Sequence, residues 1–164
     1  MSTLSYSPLP SSVLTIRFQD CDPFNHLNNG RYVDYFLNAR EDHLLEHYQL
    51  DIYRIARETG QSWVVSTSQM AYMRPAFLME KVLIETQLIR AGKKHVEVEM
   101  RMWDETKTTL KSFCWMGFVH FDLGTNKVRE HSTEYLALFE QVVAPVEETT
   151  FDARRKTLSG LRGD

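Results

Sequence analysis

One stretch limits the possible folds more than any other. From about Gly30 to Tyr48 the chain has no proline or glycine after its first residue, and good helix formers are frequent. Tyr32, Tyr35, Phe36, Ala39 and His43 recur at helical spacing, while Val33, Leu37, Leu44 and Leu45 widen the apolar band. A helix this apolar around its girth cannot lie on a surface. It has to be covered on most sides by something that wraps around it.

The rest of the chain offers strands. "VLTIRF" (Val13–Phe18) alternates, with Leu14, Ile16 and Phe18 on one face. "LDIYRIARETG" (Leu50–Gly60) reads as a short helix closed by its glycine. "SWVVSTSQMAYMRPAF" is rich in β-branched and aromatic residues, and Glu80–Arg90 follows after a short turn. Beyond the turn at Ala91–Lys93, Val96, Val98, Met100 and Met102 alternate with Glu97, Glu99 and Arg101. Asp104–Thr108 is a polar loop, and Thr109–Asp122 is another long strand. Four consecutive strands with short connections predict an antiparallel meander. Ser132–Gln141 opens on a cap candidate and reads as a short helix. The expected organisation is a polar lead-in over residues 1–12, a single α+β domain over 13–143, and a loosely held tail over 144–164, where apolar density drops and charges mix.

At 164 residues the chain can bury a core of its own, with room for an oligomer interface to share the burden. Its net charge of −3 gives no reason to expect a nucleic-acid partner. No apolar run is long enough to span a bilayer. The N-terminal residues lack the basic and apolar regions of a secretory signal, and the two cysteines, Cys21 and Cys114, lie far apart and outside any metal pattern. A reducing, cytoplasmic setting is the expectation.

The loop before the helix, "DCDPFNHLNN", holds the chemistry. As an EF-hand it fails at Phe24, Asn25 and Arg31. A metal site on Asp20, Asp22 and His26 has only a lone histidine. A Cys21/His26 nucleophile pair is opposed by the flanking carboxylates, which push the thiol pKa up. A purely structural reading suits Asp20, Asn25 and Asn28, all loop formers, with Asn28 or Asn29 as a cap. It does not explain a carboxylate held a few residues ahead of a helix start. Such a start offers unpaired N–H groups and a positive dipole end, which polarise a carbonyl while the carboxylate attacks it or activates water. That pairing fits acyl transfer from an activated ester.

The run "DCDPFNHLNNGRYVDYFLNAR", with "AYMRPAFLMEKVLIETQL" further on, resembles the hot-dog-fold acyl-CoA thioesterases of the hydroxybenzoyl-CoA thioesterase type, in the branch with an H-x-N-N motif. The resemblance covers roughly Leu14 to Phe139. It implies an antiparallel sheet wrapped around one long helix, with active sites at the interface of a homodimer, or of a tetramer built from two dimers. It implies that Asp22 is the nucleophile or general base and that the oxyanion donor is the backbone near Asn29. It implies that Lys93 and Lys94, with Arg90, bind CoA phosphates and that His26 borders the substrate. The implied substrate is an acyl-CoA, or the thioester of an acyl-carrier protein, and neither metal nor cofactor is required. His95 departs from the small residue common after the basic turn, and Met79-Glu80 from the usual Gly-Asp turn. The rival expectation is a module of the same fold that binds acyl-CoA or acyl-carrier protein without turnover.

Overall fold

The structure, a computed structural model, describes residues 6–161. Residues 1–5 of the expected lead-in and 162–164 of the expected tail lie outside the described residues. Strand β1 (Ser11–Thr15) leads through a 3-10 turn (Phe18–Asp20) and a second one (Asn29–Arg31) into helix α1 (Tyr32–Tyr48). Then come α2 (Ile52–Thr59), β2 (Gln61–Tyr72), β3 (Lys81–Ala91), β4 (His95–Asp104), β5 (Leu110–Asp122), β6 (Lys127–Val128), α3 (Thr133–Val142) and α4 (Phe151–Gly160).

The elements end where local chemistry says they should. Gln49 and Gly60 take left-handed conformations that stop α1 and α2. Asp51 and Ser132 accept hydrogen bonds from Arg54 N and Tyr135 N at the starts of α2 and α3.

The sheet is antiparallel throughout, in the order β1-β3-β4-β5-β2, with β6 on β5. The expected meander therefore holds for β3, β4 and β5 but not for β2, which pairs with β5 at the far edge. The connection from Met73 to Glu80 carries the chain across the sheet. It is fastened on the way, because Ala76 O accepts from Leu27 N at 2.8 Å and Ala76 N donates to the Tyr32 hydroxyl at 3.3 Å. Local strand propensity says nothing of which neighbour a strand will choose.

Helix α1 fills the hollow of this curved sheet, as the width of its apolar band demands. Phe36, Ala39 and His43 are fully buried, and Tyr32 nearly so, against Ile84, Val98, Met100 and Met116 of the strands. This is the hot-dog arrangement anticipated from the sequence.

One irregularity in β2 decides which way two of its aromatic side chains face. Trp63 and Tyr72 are an odd step apart, so an unbroken strand would turn them to opposite faces. A bulge between Val65 and Thr67 restores the parity, and Trp63 lies opposite His120 while Tyr72 lies opposite Ser112. Ser66 Oγ bonds to Gly117 O at 3.1 Å, and a methyl group on Gly117 would overlap the Thr67 hydroxyl.

The other face of the sheet corrects the expectation of a loosely held tail. Glu85, Glu99 and Arg101 are buried, and α4 reaches Glu99 through Arg154. Arg154 of α4 donates through both Nε and Nη2 to Glu99 at 2.8 Å, and Trp115 Nε1 donates to the same carboxylate at 2.7 Å. Arg101 bridges Glu99 and Glu85. Phe151 stacks on Phe113 at 4.8 Å between centroids and, with Leu158, makes a second small core.

Candidate active site

The loop before α1 is folded around Asp22. Its Oδ1 accepts from Phe24 N at 2.9 Å and His26 N at 3.1 Å, and its own N–H donates to His26 O at 2.8 Å. Asn25 supplies the left-handed residue that this tight turn needs. The second carboxylate oxygen, Oδ2, has no partner among the described residues. One oxygen thus fixes the group while the other stays available.

Asp20 is spent elsewhere. Its Oδ2 accepts from the Tyr35 hydroxyl at 2.7 Å, and that hydroxyl accepts from Arg17 N at 3.0 Å. Burial, together with the Asp20 charge, pushes the Tyr35 phenol up to about 12. Asp20 thus braces the loop onto α1 from behind. The Cys21 thiol is raised by burial and by both flanking aspartates, the direction that disfavours a thiolate nucleophile. Among the described residues no group of three His, Cys, Asp or Glu side chains is spaced to hold a metal ion.

At the helix start Asn28 Oδ1 accepts from Gly30 N at 2.9 Å, and Asn28 O accepts from Arg31 N at 2.8 Å. The Asn29 N–H finds no acceptor among the described residues. Tyr72 reaches across from β2, and its hydroxyl donates to Asn29 O at 3.0 Å. Asp22, His26, Asn29, Tyr32, Tyr72 and Arg74 line a hollow of about 200 Å³. The structure therefore brings three of the sequence-derived residues, Asp22, His26 and Asn29, to one place. The His26 ring stands edge-on to Phe77 at 5.1 Å, which fixes its orientation. Tyr72 reaches the site only because the fold brings β2 beside α1, so the local sequence carried no signal for it.

Arg90, Lys93 and Lys94 are not in this hollow. Arg90 pairs with Glu97 at 2.7 Å and lies over the Trp115 ring, on the outer face of the sheet. Lys93 and Lys94 are exposed in the β3–β4 turn, and their carbonyls accept from His131 N and His120 N. That turn adjoins the Trp63 end of the sheet, because Trp63 is paired with His120. The Asp22 hollow adjoins the Tyr72 end, a distance of about 30 Å at roughly 3.3 Å per strand residue.

A second hollow lies between α1 and the sheet. It has a volume of about 190 Å³ and a largely apolar lining that includes Leu37, Trp63, Val65, Val98 and Phe118. Sealed and empty, a void of that size would cost on the order of 4 kcal/mol. The buried Arg40 also borders it and donates to Thr86 Oγ1 at 3.2 Å. Next to Arg40, His43 bonds to Thr86 Oγ1 (2.8 Å) and Ser12 Oγ (2.9 Å), and burial, with the Arg40 and His47 charges, lowers its pKa to about 4.

Residues 16–148 match the family model described as the thioesterase-like superfamily. The long-chain acyl-CoA thioesterase FadM of Escherichia coli is 26% identical over 130 residues, which is 79% of this chain and 96% of FadM. The crystal structure of YbaW, a probable thioesterase from Escherichia coli, superposes with a TM-score of 0.69 at 26% identity, covering 82% of this chain and 98% of that one. A Staphylococcus aureus protein solved in complex with CoA shares the fold with a TM-score of 0.76 at 13% identity, covering 92% of this chain and 93% of its own.

Proposed function

The chain belongs to the thioesterase-like superfamily, and on that premise we propose that it is a thioester hydrolase that cleaves an acyl-CoA to the free acid and CoA. The observation that carries this reading is the shared hollow of Asp22 and Asn29. A carboxylate with one free oxygen shares that hollow with a backbone N–H that has no acceptor among the described residues, just ahead of the positive end of a long helix.

The chemistry is set by what each group can do. The thioester oxygen accepts from the Asn29 N–H, which becomes a stronger donor as negative charge builds on that oxygen. Asp22 acts on the carbonyl carbon in one of two ways. It attacks directly, forming an acyl anhydride that water then opens, or it takes a proton from the water that attacks. In both cases a carbon–oxygen bond forms, the carbon–sulfur bond breaks, and sulfur leaves with the electron pair and is protonated to CoA thiol. Tyr72 holds the Asn29–Gly30 peptide through Asn29 O, one peptide unit on from the donating N–H, and so steadies the start of the helix. Neither step needs a metal or an organic cofactor.

CoA phosphates are assigned to Lys93 and Lys94 of a second copy. Two β2 edges paired antiparallel about a two-fold axis exchange their ends. The basic turn at one end of β2 then approaches the partner's Asp22 hollow at the other. This geometry supports a homodimer as the working unit.

The test is thiol release from an acyl-CoA panel, followed with a thiol reagent. Asp22→Asn is the informative variant, because the amide oxygen can still accept from Phe24 N and His26 N and so keep the loop intact. It should lower kcat by about 10²–10⁴. Undiminished turnover in a folded Asp22→Asn protein would discard the mechanism. Tight acyl-CoA binding with no thiol release at any chain length would establish the binding-module reading instead.

A further inference from the structure

The turn that carries Lys93 and Lys94 is held more firmly than an exposed hairpin turn needs to be. Gly92 N donates to His95 O at 2.8 Å and closes it. A methyl group on Gly92 would overlap the His95 ring, so the closure is tight. Three successive carbonyls are then tied down. Gly92 O accepts from His131 Nδ1 at 2.9 Å, Lys93 O from His131 N at 2.7 Å, and Lys94 O from His120 N at 2.8 Å. Carbonyls in exposed turns ordinarily bond to water, and such turns are mobile. Here they are set by two buried histidines, one in β5 and one just ahead of α3. The lysine side chains stay exposed, and neither pairs with a carboxylate among the described residues.

His131 is itself held in one state. Trp63 Nε1–H donates to its Nε2 at 3.0 Å, so that nitrogen carries no proton. Gly92 O can only accept, so the proton sits on Nδ1. Burial lowers the His131 pKa, which keeps the ring neutral, as both bonds require. The ring stacks on His120 at 5.0 Å between centroids, and Phe139 of α3 meets it edge-on at 5.0 Å. His120 in turn stacks on the Trp63 indole at 4.9 Å. A chain of contacts therefore runs from Trp63 in β2 through His131 to the backbone beneath two uncommitted ammonium groups. Groups anchored in advance lower the ordering cost that a ligand has to meet.

We infer that His131 is a positioning residue for CoA: it sets the turn from which Lys93 and Lys94 reach the phosphates, and Trp63 fixes its ring. The inference rests on the thioesterase reading and on the assignment of the phosphates to this turn. It adds that His131 serves binding rather than the chemical step, and only for thioesters that carry phosphate. A histidine that merely packs α3 onto the sheet would affect every thioester alike.

The experiment presents one acyl group to the full-length protein in two forms, as its CoA thioester and as its N-acetylcysteamine thioester, which has no phosphate. His131→Leu removes the donor to Gly92 O. It should raise KM for the CoA thioester about five- to tenfold with kcat within about twofold, the pattern of lost uniform binding. For the N-acetylcysteamine thioester, kcat/KM should stay within about twofold of wild type. His131→Asn puts an amide N–H close to where Nδ1–H stands and should recover most of the loss. Trp63→Phe leaves Nε2 without its donor, should raise KM for the CoA thioester by a smaller factor, and serves as the test if His131→Leu does not fold. In a Lys93→Met/Lys94→Met background, His131→Leu should add nothing further, because the two act through one contact. An equal fall for both thioesters in the folded variant, or an unchanged KM for the CoA thioester, overturns the inference and leaves the thioesterase reading standing. So does an unaltered KM in the double lysine variant. A wild-type protein that releases thiol from neither thioester overturns both.

Discussion

Removing Arg154 tests whether the C-terminal helix is part of the fold or an appendage to it. Glu99 is fully buried and takes two hydrogen bonds of 2.8 Å from this one guanidinium. Breaking a buried ion pair by deleting one partner costs about 3–5 kcal/mol, because the other charge is left without compensation. Arg101 and Trp115 still reach Glu99 in the variant, and Arg154 is itself partly solvent-accessible, so the lower end applies. Arg154→Ala should therefore lose about 3 kcal/mol in urea unfolding, and Tm should fall by about 6–12 °C at fixed protomer concentration. The loss should depend on pH. The surrounding cations hold the Glu99 pKa below its ordinary value despite burial. A depressed carboxylate stabilises the fold above its unfolded pKa, and that stability is lost as pH falls through the folded one. The gap between wild type and Arg154→Ala should accordingly be widest near pH 7, begin to narrow as pH falls past the ordinary glutamate pKa of about 4.3, and close only once pH has fallen through the lower folded value. Arg154→Lys should recover only part of it, since an ammonium group cannot reproduce the two-pronged contact. A loss under about 1 kcal/mol at pH 7 would refute the reasoning and return α4 to the status of a loose tail.

Gly117→Ala should disturb the bulge by driving a methyl group into Thr67, with a loss of about 1–3 kcal/mol and lower acyl-CoA turnover, because Trp63 and Tyr72 then lose their common facing; calorimetry and the thiol assay check both. His43 offers a pH signature. Its pKa falls to about 4 in the fold, so the unfolded chain takes up a proton first as pH drops, and about 3 kcal/mol of stability present above pH 6.5 is lost by pH 4. Urea midpoints across that range should fall less steeply in His43→Gln than in wild type, by up to about 1.4 kcal/mol per pH unit, and parallel slopes would contradict the assignment.

Much of the site was legible because it is local. Asp22, His26 and Asn29 lie within one loop, and a turn closed by Asn25 and capped by Asn28 can bring them together without help from distant residues. Tyr72, Trp63 and the second hollow depend on β2 leaving the meander to lie beside α1, and on one extra residue in its ladder. No hydrophobic period reports either fact. The roles given to Arg90, Lys93 and Lys94 came from resemblance. Within one chain, Arg90 is engaged by Glu97 and Trp115, and the two lysines sit at the opposite end of the sheet from Asp22.

The sequence by itself determined that a helix apolar around most of its girth must be enclosed, and that long alternating strands were available to enclose it. It also set the chemistry of the loop in front of that helix, because capping and turn formation act over a few residues. Only the tertiary structure decided which strand lies at the edge, which charges leave water, and where space is left over. Glu99 and Arg154 each look like surface residues when read alone. Glu99 is buried, and Arg154 largely covered, because they meet, and a cancellation between residues so far apart in the chain appears in no local pattern.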